Sequence, residues 1–411
     1  MPSCTKGLAV SRRRRALRAT VALGMALVVA GCGANAGGLA GVSAMLGSSQ
    51  TEQGRVERLF VVSTRKPESG ESARVPRYNV STVTIPPGHA PGVIERPSFT
   101  PQSRSRHFTI AGERKMGADA FQQEIATQLS GRVGVSRDVL VFVHGFNTNY
   151  DEARFRLAQI VNDSGFTGVP VLFTWPSRAQ ILAYGSDKES ATASRDHLEK
   201  LIEDLGQAPG VGRVHIMAHS MGTWLAMEAL RQAAIGGKAS LGGHLGEVML
   251  AAPDIDLEVF RAQMSRLGDV ARVSVFAAAD DRALSVSSTL AGDRTRLGAL
   301  DLNNPQHVEE LKGLNVRVYD LTKAKGASDM FRHVTFAEAP TVVQSIGAQL
   351  ATVRVEDKGL EDKQAQSYVD PQASAPAPVS GDGLPPAMPA AVSSAPLAAP
   401  GAAPAPATAI R

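Results

Sequence analysis

The sequence predicts an α/β fold, in which helices cover both faces of a mostly parallel β-sheet. Short runs rich in valine, isoleucine, leucine and phenylalanine alternate along the chain with longer segments of helical periodicity. The short runs are apolar at nearly every position, which is typical of parallel strands buried on both faces. In such a sheet we expect functional groups on the loops at the carboxyl ends of the strands.

Individual elements can be assigned between residues 59 and 351. The clearest strand is Val139–Val143, because all of its residues are apolar. A helical segment follows it, and strands and helices then alternate to the end of the domain. The predicted strands are Leu59–Ser63, Val139–Val143, Val171–Thr174, Arg213–Ala218, Val248–Ala251, Val273–Ala277 and Val316–Tyr319, and the predicted helices are Glu152–Val161, Ala191–Leu205, Met221–Ala234 and Thr341–Ala351.

The composition excludes several classes of protein. With 411 residues, 43% of them hydrophobic, the chain can bury a sizeable core. The formal net charge is only +4, and part of it comes from arginines in residues 12–18 that we expect to be removed, so nothing indicates nucleic-acid binding. Both cysteines, Cys4 and Cys32, lie near the N terminus. The globular part therefore contains neither an internal disulfide nor a cysteine-based metal site.

The N-terminal segment has the features of an export signal. The basic stretch Ser11–Arg18 precedes the apolar run Ala19–Ala30, which is shorter than the roughly 20 residues that span a bilayer. The sequence Val29-Ala30-Gly31-Cys32 then resembles the lipobox of bacterial lipoproteins, which implies a signal peptide of residues 1–31 and a membrane anchor on lipidated Cys32. Gly33 resembles lipoproteins sorted to the outer rather than the inner membrane. A plain secretory signal with an incidental cysteine is the alternative, and Sec and twin-arginine export both stay open.

Segments of low complexity enclose the globular domain. Residues 32–53 are rich in glycine, alanine and serine, and we expect them to form a flexible tether. Residues 361–411 include an Ala/Pro-rich stretch with almost no charged or aromatic residues, so this tail is expected to be disordered. The predicted α/β domain occupies residues 54–360.

The most informative stretch is an apolar strand that ends in a serine and continues as a helix. The sequence Ala218-His219-Ser220-Met221-Gly222 matches a nucleophile elbow, in which small residues on either side of the serine let the helix approach the strand closely. Alanine replaces the usual first glycine, a change of one methyl group. Ser220 is the predicted nucleophile, and a helix N-cap serine in a tight turn is the structural alternative.

A second motif, His144-Gly145-Phe146-Asn147, directly follows the strand Val139–Val143. Together with the elbow it resembles the α/β-hydrolase superfamily. The resemblance implies an oxyanion hole formed by the backbone N–H groups of Phe146 and Met221. It also implies a structural role for His144, because this histidine lies inside the turn.

Three motifs together resemble a narrower family of uncharacterised bacterial α/β-hydrolases. They are His144–Asn147, Thr174–Ser177 and His219–Gly222, and the resemblance covers Leu59–Ala351. It implies a reaction class and leaves the substrate open.

A nucleophilic serine needs an acid and a histidine, which follow it in that order in this fold. After Ser220, the carboxylates Asp254 and Asp256 follow one strand, and Asp280 and Asp281 follow the next. The Asp-Arg-Ala-Leu run that begins at Asp281 matches the family position of the acid, so Asp281 is the predicted acid. Asp280 is the alternative and is otherwise a cap for the next helix, whereas Asp254 is expected to hold a loop.

Two histidines, His307 and His333, follow these carboxylates. His333 follows the last strand by a loop, where the superfamily places its base, whereas His307 follows an Asn-Asn-Pro helix start. His333 is therefore the predicted base, and the set predicts acyl transfer to Ser220 followed by release with water. This chemistry requires no cofactor and no metal, and the histidines show no metal-ligand spacing.

The motifs do not identify the substrate. Trp175, Ile181, Leu182 and Tyr184 follow a central strand and are candidates for the wall of an acyl pocket, although Trp175 is equally suited to fill the core. Attachment through Cys32 favours lipid or envelope esters. The sequence thus predicts an esterase or lipase-like serine hydrolase, with an acyltransferase and a non-catalytic envelope interaction module as alternatives.

Overall fold

The computed structural model describes residues 54–66, 72–99, 101–180, 183–290, 292–324 and 333–351. The predicted signal peptide, the lipidated Cys32, the tether and the Ala/Pro-rich tail lie outside these residues, as do Ile181 and Leu182. In the described part of the chain, no helix is long and apolar enough to cross a bilayer.

A nine-stranded sheet forms the centre of the fold, in the order β3-β2-β1-β5-β4-β6-β7-β8-β9. The first three strands form an antiparallel meander at one edge, and every later neighbour pair, beginning with β1 and β5, is parallel. The strands are β1 (Arg55–Arg65), β2 (Ser72–Ile85), β3 (Thr109–Met116), β4 (Val139–Val143), β5 (Val169–Thr174), β6 (Val214–His219), β7 (Leu245–Ala251), β8 (Arg272–Ala277) and β9 (Val316–Asp320).

Helices pack on both faces of this sheet. They are α1 (Ala118–Ser130), α2 (Tyr150–Ser164), α3 (Tyr184–Ala193), α4 (Arg195–Gly206), α5 (Met221–Ile235), α6 (Leu257–Leu267), α7 (Arg282–Leu290), α8 (Pro305–Leu311), α9 (Thr335–Glu338) and α10 (Pro340–Ala351).

The core is divided into two layers by the sheet. Along β4, Val139, Val141 and Val143 belong to the layer that includes residues of α1, α4, α5 and α6, whereas Leu140 and Phe142 belong to the layer with α2 and α10. Alternate residues of a strand point to opposite faces, so an uninterrupted apolar run is what burial on both faces requires. The predicted fold class is confirmed.

Every predicted strand is present, and five of the seven are longer than predicted, by one to six residues. The single helix predicted at Ala191–Leu205 is wrong, because the structure has two helices, α3 and α4, which meet at Ser194. The buried Ser194 hydroxyl bonds to the Ser190 carbonyl and to the Thr64 hydroxyl of β1, both at 2.9 Å. This contact with a distant strand fixes the break.

The strands β2 and β3 were not predicted. They lie at the sheet edge, and five of the eight residues of β3 are exposed. An edge strand with one solvated face carries polar residues, so it lacks the apolar run that reveals a central strand.

Candidate active site

Ser220 lies on a sharp turn between β6 and α5. Its φ of 51° and ψ of −126° are rarely adopted by residues that carry a side chain. Hydrogen bonds hold this strained turn: the Ser220 N–H donates to the Ala251 carbonyl at 2.9 Å, and the Ser220 carbonyl accepts from the Thr223 N–H at 3.0 Å and the Thr223 hydroxyl at 2.5 Å. The Ser220 side chain makes no capping hydrogen bond, so a helix cap does not explain the turn.

Two glycines allow the backbone to approach this turn closely. A Cβ atom at Gly222 would lie 2.3 Å from the His144 carbonyl oxygen, and one at Gly145 would lie 2.9 Å from the Ser220 Cβ. Both distances are shorter than side-chain contacts allow, so only glycine fits at either position. Helix α5 and the loop after β4 therefore meet directly at Ser220.

Asp281 and His333 are joined by a hydrogen bond. The His333 Nδ1 lies 2.7 Å from the Asp281 Oδ2, and the Asp281 side chain is completely buried. The other carboxylate oxygen of Asp281 accepts from the Leu284 N–H at 2.9 Å, in the first turn of α7. Asp281 itself therefore provides the helix cap that was considered for Asp280, which is exposed.

His307 is placed elsewhere. Its Nδ1 accepts from the Asp301 N–H at 3.0 Å and so stabilises the turn before α8.

His219, the neighbour of the serine, contacts the loop that carries His333. Its Nε2 lies 3.0 Å from the His333 carbonyl oxygen, so this nitrogen donates, and its ring lies 4.8 Å from both the His333 and the Phe336 rings. Burial, and next the neighbouring His333, hold the pKa of His219 well below its ordinary value. A neutral His219 thus links the turn at Ser220 to the His333 segment.

His144 has a structural position, as the resemblance implied. Its Nδ1 donates to the Gly145 carbonyl at 2.8 Å, its ring stacks on Trp175 at 5.1 Å, and its Nε2 lies 3.0 Å from the Thr174 hydroxyl. Burial, together with the charge of Arg65, holds the pKa of His144 well below its usual range. His144 therefore joins the loops after β4 and β5.

Arg65, at the end of β1, was missed by the sequence analysis. Its buried guanidinium donates to the Thr174 hydroxyl at 2.8 Å, to the Ser177 carbonyl at 2.8 Å and to the Thr148 carbonyl at 2.7 Å. It also lies 3.2 Å from the His144 Nε2. Burial lowers the pKa of Arg65 to about 10, which leaves it charged at neutral pH. The sequence did contain one indication of the role of Arg65, namely a charged residue at the carboxyl end of a strand in the sheet.

The backbone N–H groups of Phe146 and Met221 belong to the loop after β4 and to the start of α5. Phe146 lines the cavity beside Ser220, and Met221 is the first residue of α5. Within the described part of the chain, neither N–H group has a hydrogen-bond acceptor. Phe146 thus borders the cavity, whereas the Met221 side chain is buried.

The family model described as alpha/beta hydrolase of unknown function (DUF900) matches residues 117–354, which is more than half of the chain. The chain belongs to this family of α/β hydrolases. No curated protein sequence matches this chain.

Solved structures similar to this chain include several esterases. An esterase of Pyrobaculum calidifontis has a TM-score of 0.36 and 13% identity, and the match covers 75% of this chain and 90% of that chain. An esterase of the fungus Rhizomucor miehei has a TM-score of 0.32 and 12% identity over 74% and 85% of the two chains. Carboxyl esterase 2 of Tuber melanosporum has a TM-score of 0.31 and 12% identity over 74% and 89%.

A cavity of about 430 Å³ opens beside Ser220, and His333 also lines it. Much of its wall is apolar, including Phe146, Leu284 and Val286. Trp175 is fully buried and is absent from the wall, so it fills the core and its alternative assignment to an acyl pocket is wrong.

Asp254 belongs to a different hydrogen-bond network from that of His333. It accepts hydrogen bonds from the Tyr184 hydroxyl at 2.7 Å and the Ser287 hydroxyl at 2.5 Å, and Arg296 lies 3.3 Å away. Burial and the Asp254 charge raise the pKa of Tyr184, which keeps its hydroxyl protonated. This network joins α3 to α7 along the cavity wall of the hydrolase.

A loop between β2 and β3 closes another side of the cavity, to which it contributes Ile94 and Arg96. His89 anchors this loop, with its Nδ1 2.9 Å from Glu95 and its Nε2 2.8 Å from Asp163 of α2. Burial alone would lower the pKa of His89, but the hydrogen bonds to the two carboxylates outweigh it and raise this pKa. The anchor is strongest when His89 is protonated.

Proposed function

We propose that this protein is a serine hydrolase that cleaves ester bonds through an acyl-enzyme, with Ser220 as nucleophile, His333 as base and Asp281 as acid. The observation that carries the proposal is the 2.7 Å hydrogen bond between His333 and the buried Asp281, at a cavity that Ser220 shares. A buried carboxylate on Nδ1 makes the opposite nitrogen, Nε2, the one that takes the serine proton.

In the proposed reaction, the Ser220 oxygen attacks the ester carbonyl while His333 accepts its proton. The Phe146 and Met221 N–H groups donate to the oxyanion, which contributes about 3 kcal/mol per donor in related sites. The carbon–oxygen bond to the alcohol then breaks, and the alcohol leaves with the proton from His333. Water, deprotonated by the same histidine, then attacks the acyl-enzyme. The bond between the acyl carbon and the Ser220 oxygen breaks, this oxygen takes the proton from His333, and the acid is released.

We further propose that this activity is membrane-attached through lipidated Cys32, at the outer membrane. The lipobox-like Val29-Ala30-Gly31-Cys32 after a short apolar run supports this location.

The first experiment is intact-mass analysis of the full-length protein after treatment with a fluorophosphonate. We expect one adduct in the wild type, none in Ser220→Ala, and labelling slowed by about a hundred-fold or more in His333→Ala. His307→Ala is the matched control, since this histidine lies in a different turn, and it should label at the wild-type rate. No adduct in the folded wild type, or an adduct that persists in Ser220→Ala, would contradict the proposal.

A further inference from the structure

The cavity beside Ser220 has a charged region formed by α2 and the loop between β2 and β3. Arg96, Glu152 and Arg156 line it together. Glu152 is already engaged twice, since it pairs with Arg96 at 2.8 Å and accepts from the Asn149 N–H at 3.1 Å. The charge of Glu152 is therefore balanced by Arg96, and Arg156 is the other cation in this region.

Arg156 lies in the cavity wall with only 18% of its side chain exposed. Its Nη1 donates to the neutral Gln159 amide oxygen at 3.0 Å, and its Nη2 forms an ion pair with Glu338 at 3.8 Å, a separation too long for a hydrogen bond. Within the described part of the chain, the remaining N–H groups of Arg156 have no hydrogen-bond acceptor, and its Nε and Nη2 are not enclosed by protein. These donors therefore face the space that a substrate would fill.

Burial lowers the pKa of Arg156, but a guanidinium starts so far above neutral pH that it stays charged. After burial and His333, the charge of Arg156 also contributes to the lowered pKa of His219, so the guanidinium lies within electrostatic range of the nucleophile turn. A buried cation with unused donors is suited to a planar anion, because the guanidinium fork matches the two oxygens of a carboxylate.

The other residues of the cavity wall indicate the chemistry of the remaining part of the ligand. Phe146, Leu284 and Val286 offer an apolar surface in the wall of the same cavity. A substrate complementary to the whole cavity has an apolar chain and one anionic group.

Building on the proposed function, we propose that the natural substrate is an ester with a free carboxylate, and that Arg156 binds this carboxylate while Ser220 attacks the ester carbonyl. Arg156 is then the residue that determines specificity for acidic over neutral esters. Arg156 then affects which ester binds and does not affect the reactivity of Ser220.

The test compares two esters that share a leaving group and differ in charge, p-nitrophenyl hexanoate and the mono-p-nitrophenyl ester of glutaric acid, with the full-length protein. We expect the wild type to have the higher kcat/KM for the acidic ester. In Arg156→Met the ratio of the two kcat/KM values should fall by about ten-fold or more, mainly through KM, because a charge-assisted pair of hydrogen bonds is lost. Arg156→Lys, which keeps the charge without the fork, should lie between the two.

Arg114→Met is the matched control, because it removes an exposed arginine of β3 that does not line the cavity. It should leave the ratio unchanged. A wild type that prefers the neutral ester overturns the inference without any variant, and so does an unchanged ratio in Arg156→Met. Failure to hydrolyse either ester, with no fluorophosphonate adduct at Ser220, would instead overturn the proposed function itself. An adduct at Ser220 combined with preference for hexanoate overturns only the role of Arg156.

Discussion

Replacing Arg65 with methionine keeps an apolar stem of similar length and removes the donor that joins the loops after β4 and β5. The largest loss concerns two backbone carbonyls, those of Thr148 and Ser177, for which Arg65 is the only hydrogen-bond donor among the described residues. The other two partners, His144 and the Thr174 hydroxyl, remain bonded to each other. The change therefore leaves two buried acceptors without a donor.

A buried acceptor without its partner costs about 1–3 kcal/mol, so the two carbonyls together cost roughly 2–6 kcal/mol. The desolvation of the guanidinium, which lowers its pKa to about 10, disappears with the side chain and offsets part of this cost. We expect Arg65→Met to reduce the free energy of unfolding by about 3 kcal/mol.

Urea unfolding followed by tryptophan fluorescence measures this effect, because Trp175 stacks on His144 within the affected region. The matched control is Arg55→Met on the same strand, whose side chain is 63% exposed and which should change stability by less than about 0.5 kcal/mol. A change in Arg65→Met as small as that of the control would refute the reasoning. Because the Thr148 loop carries Phe146, we also expect slower fluorophosphonate labelling of the Arg65 variant in its folded state.

Gly222→Ala should lower the free energy of unfolding by about 1–3 kcal/mol and abolish fluorophosphonate labelling, because the added Cβ would meet backbone oxygens that cannot rotate away. Gly185→Ala is the control, since a Cβ there meets nothing within 4 Å, and it should change neither the unfolding free energy nor the labelling. The raised pKa of His89 means that its stabilising contribution is complete below the unfolded value of about 6.5 and is lost as pH rises through the folded value. The difference in unfolding free energy between wild type and His89→Gln should therefore shrink from pH 6 to pH 9, and a constant difference would contradict the proposed anchor. Cys32→Ala should lack acyl chains by intact mass and leave the membrane fraction, so continued acylation would argue against the lipobox assignment. Truncation after Asp370 should leave the unfolding midpoint and labelling unchanged, and a lower midpoint would show that the tail packs on the domain.

The central elements could be predicted because strands that are buried on both faces have apolar residues at every position. Strand β4 is apolar at every position since both of its faces are covered, and the elbow at Ser220 is marked by the small residues that close packing demands. The pairing of Asp281 with His333 was predicted from the chain order in the superfamily that the sequence resembles, and the structure places the two side chains in contact.

Other features depend on contacts between distant segments, which no local pattern encodes. Arg65 bonds to loops about 80 and 110 residues away, and two of its acceptors are backbone carbonyls that any residue would provide. The break between α3 and α4 depends in the same way on the bond from Ser194 to Thr64. The charge of Arg156 could be read from the sequence, but its direction into the cavity could not.

The two oxygens of Asp281 perform different tasks, since one holds His333 and the other begins α7. Helix α7 in turn supplies Ala283, Leu284, Val286 and Ser287 to the cavity wall. In the proposed reaction, each protonation of His333 draws negative charge toward one oxygen of this carboxylate and so weakens the cap on the other. The His333 contact and the start of the helix that lines the cavity therefore depend on the same side chain. For the same reason, a variant at this position measures catalysis and the shape of the cavity together, and Asp281→Asn, which keeps an oxygen for the cap, separates the two better than Asp281→Ala.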